Sequence, residues 1–323
     1  MKLGLLLWNQ DATWPEVVDA ARRADSLGYD SLWMWDHLYS IAGDGVDPYR
    51  PIFEGWTSIS ALAALTSHIR LGLLVGSNPI RNPGLVAKMA TTLDHISDGR
   101  AIVGLGAGWF ELEHAAHGIE FGSGFGERLG WLDESVAIIR GLLDGEIVNH
   151  VSDKYRFVDT RHAPRPVQPH LPILIGGNGL RKTLRTVAKY ADMWNTMGAV
   201  VDVAQRDAVL REHCQVVGRD ESQIERTLEL KPIIRDDPAE AERVWAAALG
   251  RAGTVPTAIR NAWLGTPQQV AERLQPYRTL GVDTIIAELP APYDAETIER
   301  LAKEVSPMVE GRSTDPIQRA ATP

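Results

Sequence analysis

The segment from Ala101 to Trp109 contains the residue types that point most clearly to chemistry. It reads Ala101-Ile-Val-Gly-Leu-Gly-Ala-Gly-Trp109, an apolar strand that ends in alternating glycines and an aromatic residue. Glycine is needed where a ligand approaches the main chain closely or where φ is positive. We therefore expect a flat group to lie against Gly106 and Gly108, at the mouth of a pocket that Trp109 lines.

A second glycine turn, Ile173-Leu-Ile-Gly-Gly-Asn-Gly179, follows another apolar strand and precedes a predicted helix. Free backbone N–H groups and the helix dipole favour a phosphate at such a place. Gly176, Gly177, Asn178 and Gly179 are therefore candidate phosphate ligands, and the two turns together predict a phosphorylated, ring-bearing cofactor. In a Rossmann dinucleotide fingerprint, G-x-G-x-x-G, two residues separate the second and third glycines. Only one residue separates Gly106 from Gly108, so a dinucleotide site is an unfavoured alternative.

Asp36 and His37 directly follow the apolar run Ser31-Leu-Trp-Met-Trp35. Histidine is the side chain best suited to donating or accepting a proton near neutral pH, so His37 is the leading catalytic candidate. The alternative interpretation is an ordinary polar pair at a loop or helix start.

Two further sets of residues are candidates for the pocket. Glu111, Glu113, His114 and His117 could hold a metal ion, but solvated charges on an exposed helix are the favoured interpretation, so no metal site is expected and Glu113 is assigned to the pocket. Of the ten tryptophans, Trp8, Trp109 and Trp194 are predicted to line the substrate pocket, with core packing as the alternative.

Composition narrows the classes of protein that fit. The 323 residues are 44% hydrophobic and 23% charged, with a formal net charge of −9 and no Lys/Arg cluster, which argues against nucleic-acid and anionic-membrane partners. The single cysteine, Cys214, excludes an intrachain disulfide and a cysteine-rich zinc site. No segment is long and apolar enough to span a bilayer, and the first residues run into polar Asn9 without a cleavage site, so a cytoplasmic protein is expected.

Strand-like and helix-like segments alternate along the chain, which predicts parallel βα units. Eight apolar strands are expected, as in an α/β fold of the (β/α)8 TIM-type barrel, with chemistry at the carboxyl ends of the strands. The predicted strands are Leu3–Trp8, Ser31–Trp35, Arg70–Gly76, Ala101–Gly106, Ile173–Gly176, Ala191–Thr196, Thr227–Ile233 and Thr284–Glu288.

The connections also carry predictions. Thr13 to Glu16 and Thr266 to Gln269 read as capping boxes that begin two of the helices. Three stretches, 109–130, 145–171 and 250–264, exceed what a minimal barrel needs and are interpreted as insertions at the C-terminal face, the second with a hairpin of Ile147–Val151 and Tyr155–Val158. A single barrel domain over 1–310 and a loose tail over 311–323 are expected.

Seven motifs follow one another along nearly the whole chain. In this order they resemble the bacterial luciferase-like superfamily of flavin- and deazaflavin-dependent barrels, and within it the coenzyme F420-dependent oxidoreductases. The motifs are Leu32-Trp-Met-Trp-Asp-His37, Arg70-Leu-Gly-Leu-Leu-Val-Gly-Ser77, Arg81-Asn-Pro83, Leu93-Asp-His-Ile-Ser-Asp-Gly-Arg100, the segment from Gly104 to Glu113, Pro172-Ile-Leu-Ile-Gly-Gly177 and Gly265-Thr-Pro-Gln-Gln-Val270.

The resemblance implies roles for individual residues. Asp36 would meet the deazaflavin ring system or its side chain, and His37 would move a proton at the substrate. Leu74 and Val75 would be joined by a non-prolyl cis peptide that presses on the back of the ring, with Gly76 and Ser77 as adjoining cofactor contacts. Gly176 to Gly179 would form the phosphate turn.

The sequence departs from some members of that superfamily. Trp109 and Leu112 replace an asparagine and a glutamate of certain sugar-phosphate dehydrogenases, which argues against that substrate class. Ala107 lacks the positive charge that flavin-binding members can place near a phosphate, which favours the deazaflavin over FMN. The expected protein is thus a homodimeric oxidoreductase that transfers a hydride between F420 and a small, fairly apolar molecule.

Three alternatives remain open from the sequence. An FMN-dependent monooxygenase of the same fold would differ in its cofactor and in its need for oxygen. A metal-dependent barrel hydrolase would use Glu113, His114 and His117, although the first predicted strand holds no histidine. A non-catalytic cofactor-binding protein is the third.

Overall fold

A computed structural model describes residues 1–41, 47–252 and 262–310. Within these residues twelve strands alternate with helices. The strands are β1 (Lys2–Leu7), β2 (Ser31–Met34), β3 (Arg70–Leu73), β4 (Gly76–Ser77), β5 (Val103–Gly106), β6 (Val148–Val151), β7 (Arg156–Thr160), β8 (Ile173–Gly176), β9 (Met193–Thr196), β10 (Glu225–Ile234), β11 (Ala262–Gly265) and β12 (Thr284–Leu289).

The α-helices cover the outside of the sheet. They are α1 (Trp14–Ser26), α2 (Gly55–Leu65), α3 (Pro83–Ile96), α4 (Glu111–Ala116), α5 (Phe125–Asp144), α6 (Lys182–Tyr190), α7 (Val200–Val217), α8 (Pro238–Ala252), α9 (Pro267–Thr279), α10 (Ala295–Arg300) and α11 (Ser306–Val309). Thr13 N donates to Glu16 Oε2 at the start of α1, and Thr266 and Gln269 exchange hydrogen bonds at the start of α9. Both predicted capping boxes are confirmed.

The parallel strands form a ring. Their order is β3-β2-β1-β12-β10-β9-β8-β5-β4, and the ring closes where Leu71 of β3 bridges Ala101 while β4 pairs with the end of β5. Since β3 and β4 are consecutive in the chain, they count as one of the eight barrel strands, which we call staves. This stave bends at the peptide between Leu74 and Val75. The molecule is therefore a (β/α)8 barrel of eight staves, as predicted.

Each predicted strand is present, with ends shifted by a few residues. The third differs most, because Arg70–Gly76 is divided into β3 and β4 by a cis peptide bond at Leu74–Val75. That cis bond confirms the expectation drawn from the resemblance. The sequence did not predict β11, which lies in the stretch interpreted as an insertion and pairs in parallel with the end of β10.

The extra connections are only partly as expected. The hairpin is confirmed as β6 and β7, which pair antiparallel. The stretch 109–130 contains α4 and the first turns of α5, so Phe125–Gly130 belongs to a barrel helix. Residues 253–261 and the tail 311–323 lie outside the described residues. No helix in the described parts of the chain is long and apolar enough to cross a membrane.

Gly104 offers a test of how tightly the staves pack. A Cβ at this position would clash with the carbonyl oxygen of Leu73, a backbone atom that cannot move away, whereas a Cβ on Gly130 in α5 meets no heavy atom within 4 Å. We expect Gly104→Ala to lower the free energy of unfolding by about 2 kcal/mol or more, as overpacking does. Gly130→Ala should raise it by about 0.5–1 kcal/mol, as expected for a helix interior. Urea unfolding of both variants measures the difference, and equal stabilities would contradict the tight packing.

Candidate active site

A cavity of about 670 Å³ opens at the carboxyl ends of the staves. Most of the residues predicted from the sequence to bind cofactor or substrate line it. These are Asp36, His37, Leu74, Val75, Ser77, Gly106, Gly108, Trp109, Gly176, Gly177, Asn178 and Gly179. Four different staves or their following loops thus meet at one place, as the carboxyl ends of parallel strands must.

Val75 explains two of the predicted glycines. A Cβ on Gly106 would lie 2.5 Å from Val75 Cγ2, and one on Gly176 would lie 2.8 Å from Val75 Cγ1. These glycines therefore make room first for the bulge at Leu74–Val75. The result is a cavity wall of bare backbone with a single aliphatic side chain standing between the two glycines.

The wall has features that fit a flat, phosphate-bearing group. Gly108 has φ +76° and Gly177 has φ +140°, conformations that side-chain-bearing residues rarely adopt. The Ser77 hydroxyl is buried and has no hydrogen-bond partner within the protein, although Ser77 lines the cavity. A buried hydroxyl without a partner is costly, so it fits a ligand atom that would complete its bonding.

Asp36 holds the bent stave in place. Its Oδ2 accepts hydrogen bonds from Ser77 N at 2.9 Å and from Arg81 Nη1 at 2.6 Å, and Arg81 also donates to Glu54 at 2.6 Å. Burial raises the pKa of Asp36 more than the charge of Arg81 lowers it. Asp36 borders the cavity, but one of its oxygens is committed to the Ser77 segment, which gives it a positioning role.

His37 and Glu113 form a pair. His37 Nδ1 lies 2.9 Å from Glu113 Oε1, and the backbone N–H of Leu38 donates to Glu113 Oε2 at 2.7 Å. Because both carboxylate oxygens accept, the proton of neutral His37 is held on Nδ1, and Nε2 remains the atom able to accept a proton. His37 also packs edge-on against Trp109, with ring centroids 5.5 Å apart.

The structure corrects the placement of four predicted residues. Glu113 is fully buried behind His37 and does not line the cavity. Trp194 is buried and donates from Nε1 to the Gly177 carbonyl at 3.0 Å, and Trp8 packs on Trp35 with centroids 4.8 Å apart. Gly76 lies under the wall, where a Cβ would approach the Gly104 carbonyl to 2.8 Å. These residues support the cavity from a layer behind it.

The histidines of α4 and its end face their own backbone. Nδ1 of His114 lies 2.8 Å from the Phe110 carbonyl, and Nδ1 of His117 lies 2.9 Å from the Glu113 carbonyl. In the described residues no group of three or more acidic, histidine or cysteine side chains is arranged to hold a metal ion.

Sequence reasoning missed a charged cluster on the cavity wall, formed by Glu229 and Lys231 of β10 and Glu288 of β12. Lys231 Nζ lies 2.6 Å from Glu288 Oε2 and 3.9 Å from Glu229 Oε1, while Trp8 Nε1 donates to Glu288 Oε1 at 2.6 Å. The signal was the alternation of polar residues at 227, 229 and 231 with leucines at 228 and 230, which indicates a strand with one polar face.

Burial and the neighbouring Glu288 raise the pKa of Glu229 well above its ordinary value of 4.5. The same carboxyl groups raise the pKa of Lys231 even though burial opposes this. The cluster therefore favours a protonated Glu229 beside a Lys231–Glu288 ion pair.

The other lining residues, which were not assigned to the pocket from the sequence, are mostly apolar. They are Trp35, Ile41, Ala107, Phe125, Leu129 and Met197, together with polar Thr183 and Asn195. They come from several loops and helices, and no local pattern in the sequence joins them.

The raised pKa of Glu229 predicts a pH dependence of stability. Above about pH 4.5 Glu229 loses its proton in the unfolded chain but keeps it in the folded protein. The free energy of unfolding therefore falls as the pH rises towards the pKa of folded Glu229. Glu229→Gln cannot ionise and should lack this loss, so its stability advantage over the wild type should grow between pH 4.5 and pH 7. Urea unfolding across that range measures it, with Glu212→Gln on the exposed face of α7 as control. If the stability difference between Glu229→Gln and the wild type did not change with pH, the raised pKa of Glu229 would be contradicted.

Comparison with known proteins agrees with this geometry. The profile of the luciferase-like monooxygenase family matches residues 1–262. An uncharacterised protein of Mycobacterium tuberculosis is 31% identical over 245 residues, covering 72% of this chain and 85% of that protein. The F420-dependent glucose-6-phosphate dehydrogenase of Kineococcus radiotolerans is 33% identical over 258 residues, covering 76% of this chain and 73% of the dehydrogenase.

A solved structure shares the fold. An F420-dependent secondary alcohol dehydrogenase in complex with an F420-acetone adduct superimposes with a TM-score of 0.81 at 20% identity, covering 95% of this chain and 98% of that one. The family profile spans most of the sequence and the relatives match over most of their own length. The chain therefore belongs to the luciferase-like monooxygenase family, in the branch that contains F420-dependent oxidoreductases.

Proposed function

We propose that this protein is an oxidoreductase that transfers a hydride between coenzyme F420 and a small, fairly apolar organic substrate. The observation that carries the proposal is the His37–Glu113 pair at the edge of a cavity that has one wall of bare backbone. Its relative from Kineococcus radiotolerans, named as an F420-dependent dehydrogenase, supports the choice of cofactor.

The residues present fit a deazaflavin. Gly106, Gly108 and Val75 offer a flat surface with one aliphatic contact, and the Ser77 hydroxyl is free to bond a ring or side-chain oxygen. In the Gly176–Gly179 turn, which precedes α6, the N–H of Gly177 already donates to the Asn195 carbonyl, so we assign the N–H groups of Asn178 and Gly179 to a phosphate oxygen. When bound, F420 would supply a hydride acceptor or donor that reacts poorly with oxygen.

His37 handles the proton that accompanies hydride transfer. Glu113 fixes the ring through Nδ1, so Nε2 can take a proton from a substrate hydroxyl during oxidation or return it to a substrate oxygen or carbon during reduction. Glu113 also stabilises the imidazolium formed in the first case, because its carboxylate lies 2.9 Å away. Trp109 packs edge-on against the ring, with centroids 5.5 Å apart.

The lining favours a substrate without a phosphate. Trp35, Ile41, Trp109, Phe125, Leu129 and Met197 make much of the wall apolar. Among the described lining residues Lys231 is the only lysine or arginine, and Glu288 already neutralises it at 2.6 Å. The Kineococcus radiotolerans relative is named for a sugar phosphate substrate. The described lining of this cavity does not offer the cationic cluster that a phosphate dianion needs.

The proposal also includes a homodimer of single-domain subunits in the cytoplasm, which the resemblance to the superfamily implies. Sedimentation equilibrium of the purified protein tests the oligomeric state.

Titration with two cofactors tests the proposal directly. The absence of a positive charge at Ala107 and the neutral turn at Gly176–Gly179 favour the phosphodiester of F420 over the terminal phosphate of FMN. We expect F420 to bind at least tenfold more tightly than FMN, as measured by cofactor fluorescence. Reduction of activated alkenes, nitroarenes or imines by reduced F420 should be equal under argon and under air. Tighter binding of FMN with oxygen-dependent products would instead assign the protein as a monooxygenase.

Substitution of the histidine tests the proton transfer. His37→Ala should lower turnover by about 10²- to 10⁴-fold, the usual contribution of a general acid or base, while the Kd for F420 changes little. Glu113→Gln should keep cofactor binding, lower kcat and alter the pH profile of kcat, because the amide no longer stabilises a charged imidazole. His68→Ala, whose side chain is 84% exposed, serves as the control. If His37→Ala turned over substrate at the wild-type rate, His37 would not be the group that transfers the proton.

A further inference from the structure

The cluster of Glu229, Lys231 and Glu288 lies on the wall of the cavity that faces the proposed cofactor site. Around the ring of eight staves, β10 stands four places from the bent stave β3/β4, and β12 stands four places from β5. A molecule in the cavity is therefore held between the bare-backbone wall and this cluster. The function proposed above does not use these three residues.

We propose that this cluster, which we term the carbonyl subsite, binds the oxygen of a neutral carbonyl group of the substrate through the ammonium of Lys231. The inference deepens the proposed oxidoreductase function and rests on it for the identity of the ligand as substrate. It names a substrate class: ketones, enones or esters whose remaining surface is apolar.

The ammonium group of Lys231 has more N–H donors than the described residues occupy. Its Nζ carries three N–H bonds. Of the acidic oxygens in the described residues, Glu288 Oε2 forms an ion pair with it at 2.6 Å, without hydrogen-bond geometry, and Glu229 Oε1 lies at 3.9 Å. The side chain is about three-quarters buried and its exposed part lines the cavity, so a substrate would take the place of cavity water at the remaining donors. A substrate oxygen in the cavity would complete the bonding of this ammonium group.

Glu288 is fixed from both sides and does not compete for the substrate. Its Oε1 accepts from Trp8 Nε1 at 2.6 Å, its Oε2 lies 2.6 Å from Lys231 Nζ as an ion pair without hydrogen-bond geometry, and the residue is 2% exposed. Trp8, predicted as a pocket residue, thus acts on the pocket through this carboxylate. Because Glu288 is held in place, its ion pair with Lys231 orients the ammonium group of the lysine.

The charge of the subsite selects a neutral ligand. The Lys231–Glu288 pair is neutral in sum, and a protonated Glu229 adds no charge. A carboxylate or phosphate would bring a second negative charge close to Glu288 in an otherwise apolar cavity, which is costly. A carbonyl oxygen accepts from the ammonium without that repulsion.

A matched pair of ligands tests the subsite without turnover. Acetophenone and α-methylstyrene have nearly the same shape, but only the ketone carries an oxygen that can accept a hydrogen bond. We expect the complex of the protein with F420 to bind acetophenone about tenfold more tightly than α-methylstyrene in calorimetric or ligand-observed NMR titrations, as fits a hydrogen bond to a charged donor. Benzoate should bind more weakly than acetophenone.

Substitutions then locate the preference. Lys231→Met keeps the length of the stem and should reduce the ratio of the two affinities to about one, with the Kd for α-methylstyrene and for F420 unchanged. Because this variant leaves Glu288 buried without its counter-ion, Lys231→Met combined with Glu288→Gln removes both charges and should give the same ratio in a stable protein. Lys189→Met removes a lysine that pairs with Asp133 at 2.7 Å outside the cavity and should keep the parental ratio.

The outcomes separate this inference from the proposed function. Equal affinities for the two ligands in the wild type, or a preference that survives in both Lys231 variants, would overturn the carbonyl subsite while tight F420 binding left the proposed function standing. Benzoate binding that exceeds acetophenone binding and depends on Lys231 would show an anion site instead. A Lys231-dependent ketone preference in a protein that does not bind F420 would support the subsite and remove the proposed cofactor.

Discussion

The close approach of the bent stave to its neighbours is the constraint on which the rest of the site depends. Val75 projects between β5 and β8, where side chains at Gly106 and Gly176 would collide with its methyl groups. Gly104 lets the Leu73 carbonyl approach β5 from the other side of the bend. Since protein interiors are close-packed, these contacts leave little freedom for the wall. A flat, largely backbone surface at the mouth of the barrel follows from them.

Buried charges hold the loops that surround this surface. Asp36 and Arg81 fasten the Ser77 segment, and Glu113 fastens His37 and the start of the following loop. Each charge lies where water is scarce, so an unpaired partner would be costly and the pairs fix geometry more firmly than surface ion pairs do. The carboxylates therefore serve mainly to position the groups that face the cavity.

The two walls of the cavity differ in what they can bind. One is bare backbone with a free hydroxyl at Ser77, suited to a planar cofactor, and the other carries the charged cluster centred on Lys231. His37 lies at the edge between them, on the loop after β2, where a proton can reach a group held by both walls. Preorganised donors around an apolar space are the usual means by which such barrels orient a substrate for transfer.

Local patterns by themselves determined the eight staves, the capped helices and the hairpin, because hydrophobic runs, capping residues and glycines act over a few neighbours. They also indicated both glycine turns and His37, since strand ends in a parallel barrel must converge. The roles of Glu113, Trp8 and Trp194 could be decided only by the tertiary structure. Their side chains reach partners distant in sequence, Glu113 contacting His37 and Trp8 contacting Glu288. The carbonyl subsite likewise depends on the register between β10 and β12, which no local pattern specifies.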